Sequence, residues 1–219
     1  NATTFSKLFT QVGIYICRFD AKFFNDNLSV ADTKVAEKII LGVDPGTRIM
    51  GYGIISVTGN KLTLIQYGVI RLEKLSSHEL KLKRIYERIT QVIDDYLPDE
   101  MAIEAPFYGV NVQSMLKLGR AQGVAMAAAL SREVSIVEYL PKKVKQSVTG
   151  NGNASKEQVA FMLENLFNQK LEKQFFDGTD ALAVAVCHYM HGNTKALTGN
   201  NSKKKGWAAF VSENPKRVK

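Results

Sequence analysis

"KIILGVDPGTRIMGYGIISVTGNKLTLIQYGVI" (residues 38–70) contains three β-rich runs broken by turn residues. The runs "KIILGVD" (38–44), "IMGYGIISV" (49–57) and "KLTLIQYGVI" (61–70) are separated by Pro-Gly-Thr-Arg and by "TGN" at 58–60. Short polar breaks between such runs predict three consecutive antiparallel strands. Asp44 stands where the first run ends and has two readings. Asp is a favoured first turn residue, and Pro45 and Gly46 suit the central positions of a type II turn. Alternatively, the run holds a carboxylate at a reaction centre, and the choice depends on what the rest of the chain places beside it.

Beyond residue 70 the period changes. "SSHELKLKRIYERITQVIDDYL" (76–97) reads as a helix with Leu82, Ile85, Ile89, Val92, Ile93 and Tyr96 on one face, and Ser76 with Glu79 fits a capping box. "EMAIEAP" (100–106) reads as a short buried strand, 112–130 as a second helix and "EVSIVEYL" (133–140) as another strand. Pro141 opens a short helix, and Ser155 caps one whose Val159, Met162, Leu163, Leu166 and Phe167 share a face. The last helix starts near Asp177. Its "ALAVAVC" (181–187) is apolar all round, so it must pack on the sheet. The order βββαβαβααα predicts an α/β fold. Its mixed five-stranded sheet, three antiparallel strands and then two parallel ones, is flanked by helices.

That wiring gathers acids. Asp44 ends the first strand and Glu104 the fourth, so parallel neighbours bring the two carboxylates out side by side. Asp177 and Asp180 are three residues apart on a helix and share a face. A lone D-x-x-D is ordinary N-terminal capping. An acid ending a hydrophobic strand is costly unless it is paired or metal-bound, and the conjunction of four changes the balance. Oxygen-only ligands point to Mg²⁺ or Mn²⁺ rather than Zn²⁺. Two such ions, about 4 Å apart, serve phosphodiester hydrolysis. His78, His188 and His191 have no evident catalytic partners in the sequence.

The chain carries a net charge of +8, but residues 195–219 hold seven Lys/Arg against one acid. Residues 37–194 are therefore nearly neutral. The basic tail (195–219) fits either an anionic partner or a solvated, disordered segment. Residues 1–36 show no useful periodicity and read as an N-terminal extension, which leaves 37–194 as the folded domain. No apolar run approaches the roughly 20 residues of a membrane span. Cys17 and Cys187 match no metal spacing and fit free thiols in a reducing, cytoplasmic setting.

Four blocks carry a resemblance: "GVDPGTRIMGYGII", "IEAPFYGVNVQSMLKLGRAQGVA", "VKQSVTGNGNASKEQV" and "DGTDALAVAVCH". In order and spacing, over roughly residues 38–192, they resemble the bacterial RuvC-type Holliday junction endonucleases. The resemblance implies a ribonuclease-H-like fold and a Mg²⁺-dependent homodimer that nicks four-way DNA junctions symmetrically and acts with the RuvA–RuvB branch-migration machinery. It implies Asp44, Glu104, Asp177 and Asp180 as the metal-binding acids, with Asp44 bridging both ions. Some members of the family have histidine in place of Asp177. It also implies that Phe107 stacks on an unpaired base near the crossover, a hydrophobic core role being the alternative. Lys145 and Lys156 match basic residues near the scissile phosphate, and Lys142 and Lys143 extend that cluster. Lys81, Lys83, Arg84 and Arg88 read mainly as the outer face of a helix. Gly119 and Gly123 share a helix face, either packed on the chain's own sheet or serving a dimer contact. Gly51 and Gly53 mark places where DNA backbone or a neighbouring strand comes close. The rival readings are an RNA-processing nuclease of the same fold, an actin-like ATPase and a non-catalytic DNA-binding module. The ATPase lacks its second half here, and four intact acids oppose the last.

Overall fold

The computed structural model describes residues 37–106, 111–172 and 176–197. The expected extension, the tail beyond Leu197, Cys17 and Phe107 lie outside the described residues. The elements are β1 (Glu37–Asp44), β2 (Ile49–Thr58), β3 (Lys61–Arg71), α1 (His78–Tyr96), β4 (Glu100–Glu104), α2 (Val112–Leu130), β5 (Ser135–Tyr139), α3 (Pro141–Thr149), α4 (Lys156–Phe167) and α5 (Phe176–Leu197). The order is the one the sequence predicts.

The sheet runs β3-β2-β1-β4-β5. β1, β2 and β3 are antiparallel, and β4 and β5 join β1 in parallel. Strand alternation sorts the side chains. Leu41 and Val43 of β1, with Met101 and Ile103 of β4, face α1 and α2. There they pack on Ile85, Ile89, Val92, Ile93 and the alanines 121, 125, 128 and 129. Ile40 and Ala102 face the other way, onto α3, α4 and α5. Asp44 and Glu104 share the parity of Ile40 and Ala102, so both carboxylates emerge on the α5 side. Register aligns them, since Val43 pairs with Ile103 one residue earlier.

α5 is seated by glycines. A Cβ on Gly42 would stand 2.1 Å from the carbonyl oxygen of Ala181, and one on Gly53 would stand 2.8 Å from Cα of Leu182. The glycine-rich run thus receives the last helix, rather than DNA or a strand, and Ala181 to Cys187 are all buried.

Several local expectations change. Gly46 does not take the positive φ that a type II turn demands. It is required because the carbonyl oxygen of Ile49 fills its Cβ position, at 1.7 Å. α1 is capped by Ser77, whose hydroxyl accepts from the Leu80 amide, and not by Ser76. The capping box lies at α4, where Ser155 and Gln158 bond reciprocally. On α4 only Val159 and Leu163 are buried, while Met162 and Leu166 are exposed. Nothing lies within 4 Å of a Cβ on Gly119 or Gly123, so these glycines are not packing devices against the chain's own sheet.

Candidate metal centre

Asp44, Asp177 and Asp180 each present a carboxylate oxygen, and the three oxygens lie within 4.8 Å of one another. Asp44 is fixed by β1, which is paired on both sides. Asp177 and Asp180 are held by the first turn of α5, which the glycine seat draws onto the sheet. Glu104 is not one of this set of three. It lines the same cleft, of about 280 Å³, with Asp44, Asp180, Lys145 and Lys156. A smaller cleft, of about 90 Å³, adjoins it and shares only Asp44 and Glu104.

The charges conflict. Burial, then the negative charges of Glu104 and Asp180, push the Asp44 carboxyl well above the ordinary aspartate range. Burial, then Asp180, raises Glu104 to about 7. Burial likewise raises Asp180, outweighing its hydrogen bond from Lys156. Lys156, at the start of α4, donates to Asp180 Oδ2 at 2.6 Å and sits 4.0 Å from Asp177 Oδ1. Burial opposes its charge, but the bond to Asp180 and the surrounding acids hold its ammonium protonated more firmly than usual. A cation is thus already drawn to the cluster, and an all-oxygen donor set fits a hard divalent ion.

The other expected residues differ in whether they line the cleft. Lys145 lies in the cleft and lowers the cost of charge on Glu104. Lys142 and Lys143, also on α3, are exposed and do not line it. Lys81 is not a free outer-face charge, because its ammonium donates to the Thr47 carbonyl at 3.3 Å and pins the loop that follows Asp44. His188 is buried, bonded to the Tyr139 hydroxyl and to Glu100, which also meets Lys38. The sequence pointed to neither the small cleft nor Leu118 in it, since Pro45, Ala105, Pro106 and Leu118 carry no chemical signature until they are brought together.

Comparison with known proteins shows the family of the chain. The family model described as crossover junction endodeoxyribonuclease RuvC matches residues 40–188. The chain is 61% identical over 188 residues to the crossover junction endodeoxyribonuclease RuvC of Cytophaga hutchinsonii, covering 85% of this chain and 90% of that protein. It is 57% identical over 185 residues to that of Porphyromonas gingivalis, covering 84% and 98%. Among solved structures, Thermus thermophilus RuvC in complex with a Holliday junction substrate matches with a TM-score of 0.67 and 29% identity, over 72% of this chain and 96% of that one. The sheet order and flanking helices are those of this ribonuclease-H-like group. With a family model spanning more than half its length and relatives this similar over nearly their whole length, the chain belongs to the RuvC family of crossover junction endodeoxyribonucleases.

Proposed function

We propose that Asp44, Glu104, Asp177 and Asp180 form the metal-binding centre of a nuclease that resolves four-way DNA junctions by paired symmetric nicks. The observation that carries this reading is the meeting of three carboxylates within 4.8 Å, beside Glu104, in a chain of the RuvC family. The donor set suits two Mg²⁺ ions, with Mn²⁺ as a substitute. Asp44 would be shared by the ions, with Glu104 and the Asp177/Asp180 pair as the other residues that would hold them. Its coupling to both Glu104 and Asp180 supports the central place of Asp44. When bound, such ions lower the pKa of an attacking water and stabilise charge on the phosphoryl group.

The chain's own groups do the positioning. β1 and β4 hold Asp44 and Glu104 on a rigid sheet, and α5 holds the other two acids one turn apart. Lys156 and Lys145 face the cleft from α4 and α3, where they can meet a scissile phosphate. Lys142 and Lys143, exposed on α3, track phosphates farther along the strand. Phe107, next to Pro106, stacks on an unpaired base. Two nicks of like polarity call for two centres, hence a homodimer. By resemblance this dimer works with the RuvA–RuvB machinery on cytoplasmic DNA. Among the described residues no helix is long and apolar enough to cross a membrane.

The test is cleavage of a labelled four-way junction with Mg²⁺ and then with EDTA. Asp44→Asn should bind the junction and not nick it. Nicking by Asp44→Asn would overturn the metal centre, and equal cutting of linear duplex would overturn junction selectivity.

A further inference from the structure

The outer side of α4 is apolar and uncovered. Phe161, Met162 and Leu166 are exposed on it, and so is Phe176 at the start of α5. Two clefts, of about 360 and 210 Å³, share Phe161 and Glu157, and Phe176 lines the second. A third, of about 390 Å³ along the edge strand β3, shares Glu172 with the second. The three run on from one another as a trough. Contiguous apolar surface of this kind marks a docking site more often than scattered exposed side chains do.

Charge narrows the occupant. Glu157, Glu164 and Glu172 line the trough, and no lysine or arginine among the described residues does. Lys170 engages Glu164 from outside it. A nucleic-acid strand would bring phosphates against carboxylates, so this face does not continue a DNA path. It fits a segment with aromatic side chains set among basic ones, and the chain contains such a segment. "KKKGWAAFVSENPKRVK" (203–219), outside the described residues, sets Trp207, Phe210 and Val211 between three lysines and the later Lys216, Arg217 and Lys219. Reach also fits. From Thr179, which lines the second cleft, α5 runs about 27 Å to Leu197. Ten extended residues from there to Trp207 span about 33 Å, enough to return along α5 to that cleft. Tethering raises the segment's effective concentration above that of a free partner of the same chemistry.

We infer that residues 203–219 dock in this trough of their own chain. Trp207 and Phe210 lie against Phe161, Met162 and Phe176, and the flanking basic residues face Glu157 and Glu172. The tail is then a strap over the outer side of α4, the helix that begins with Lys156. Its positive charge is held by the protein's own carboxylates rather than by DNA.

Trp207 is the chain's single tryptophan, so fluorescence reports on the tail alone. The test compares the full chain, without DNA, with a synthetic peptide of residues 198–219. In the full chain Trp207 should emit at shorter wavelength than in the peptide and resist acrylamide quenching several-fold better, at low and high protein concentration alike. Added salt should weaken this protection in part. Phe161→Glu, at a helix position 59% exposed, should move emission and quenching toward those of the peptide while the far-UV circular dichroism stays unchanged. Met162→Lys should act in the same direction, so the result does not hang on one variant. Leu80→Gln, exposed on α1 and lining none of the three clefts, should change nothing. Peptide-like emission from the full chain, or protection that both trough variants leave intact, would overturn the docking. Protection lost on dilution would overturn it in favour of a second copy, and protection gained only with junction DNA would overturn it in favour of a DNA-binding tail.

Discussion

A Cβ on Gly51 would stand 1.9 Å from the carbonyl oxygen of Asp177. The strand that follows the Asp44 turn therefore sets how closely the helix bearing the other two aspartates approaches. Gly51 pairs with Asp44 itself across the β1–β2 ladder. One cross-strand pair thus holds a carboxylate and the seat for its partners.

Gly51→Ala and Gly42→Ala should each push α5 away from the sheet. Backbone atoms cannot yield as a flexible side chain can, so the cost should reach or exceed the roughly 1–3 kcal/mol of ordinary overpacking. Both variants should melt earlier and bind Mn²⁺ more weakly in calorimetry. Gly119→Ala and Gly123→Ala are the contrast, because open space surrounds both positions and alanine is the better helix former by about 1 kcal/mol. Those two should leave thermal stability equal or higher. Equal losses at Gly51 and Gly123 would mean that the seat is not what places α5.

The centre should make the metal-free protein sensitive to base. Glu104 has its folded-state pKa raised from 4.5 to about 7, and Asp44 and Asp180 shift in the same direction. Between those values the folded state holds a proton that the unfolded state has released, so stability falls as pH rises. For Glu104 alone the loss is at most on the order of 3 kcal/mol, complete above pH 7 and absent below about 4.5. In EDTA the melting temperature should drop from pH 5 to pH 8, and Glu104→Gln should flatten that slope. Mg²⁺ should restore most of the loss at pH 8. A melting temperature that rises over this range in EDTA would contradict the burial of these acids.

His188 ties three distant segments together. Its ring joins the Tyr139 hydroxyl to Glu100, and Glu100 meets Lys38 at 2.7 Å. The Tyr139 carbonyl in turn accepts from the amide of Ala105, the residue after Glu104. His188→Ala leaves a tyrosine hydroxyl and a carboxylate short of a partner, which should cost about 1–3 kcal/mol. Urea unfolding should show the loss, with junction cleavage at low temperature largely retained. A variant as stable as the parent would mean that water replaces the ring without cost.

These cases mark how far the sequence could be read. Asp44, Glu104, Asp177 and Asp180 were legible because local patterns, strand ends and a helix face carry each of them, and β-α-β wiring does the rest. The His188 network was not, since its partners come from the start of β4, the end of β5 and the start of β1. Glycines at 51 and 53 signal close approach, yet nothing local says that a helix some 125 residues later is what approaches. The exposure of Met162 and Leu166 escaped for a related reason: helical spacing gives a face, but its width depends on how deeply the helix is set against its neighbours.

Lys156 should prove a competitor for the metal as well as an aid to cleavage. Its ammonium lies 2.6 Å from Asp180, so an incoming cation must displace it or share the carboxylate. The lysine side chain is 56% exposed, which keeps the ion pair modest, within roughly 1 kcal/mol. Removing the charge with Lys156→Met should therefore tighten Mg²⁺ or Mn²⁺ binding several-fold, read by calorimetry without DNA. The same variant loses a charge aimed at the developing phosphoryl negative charge, and junction cleavage at saturating metal should fall by about 100-fold or more. The opposite directions of the two readouts make the prediction specific. A lysine that only supported the fold would weaken both together, and one that merely faced solvent would change neither.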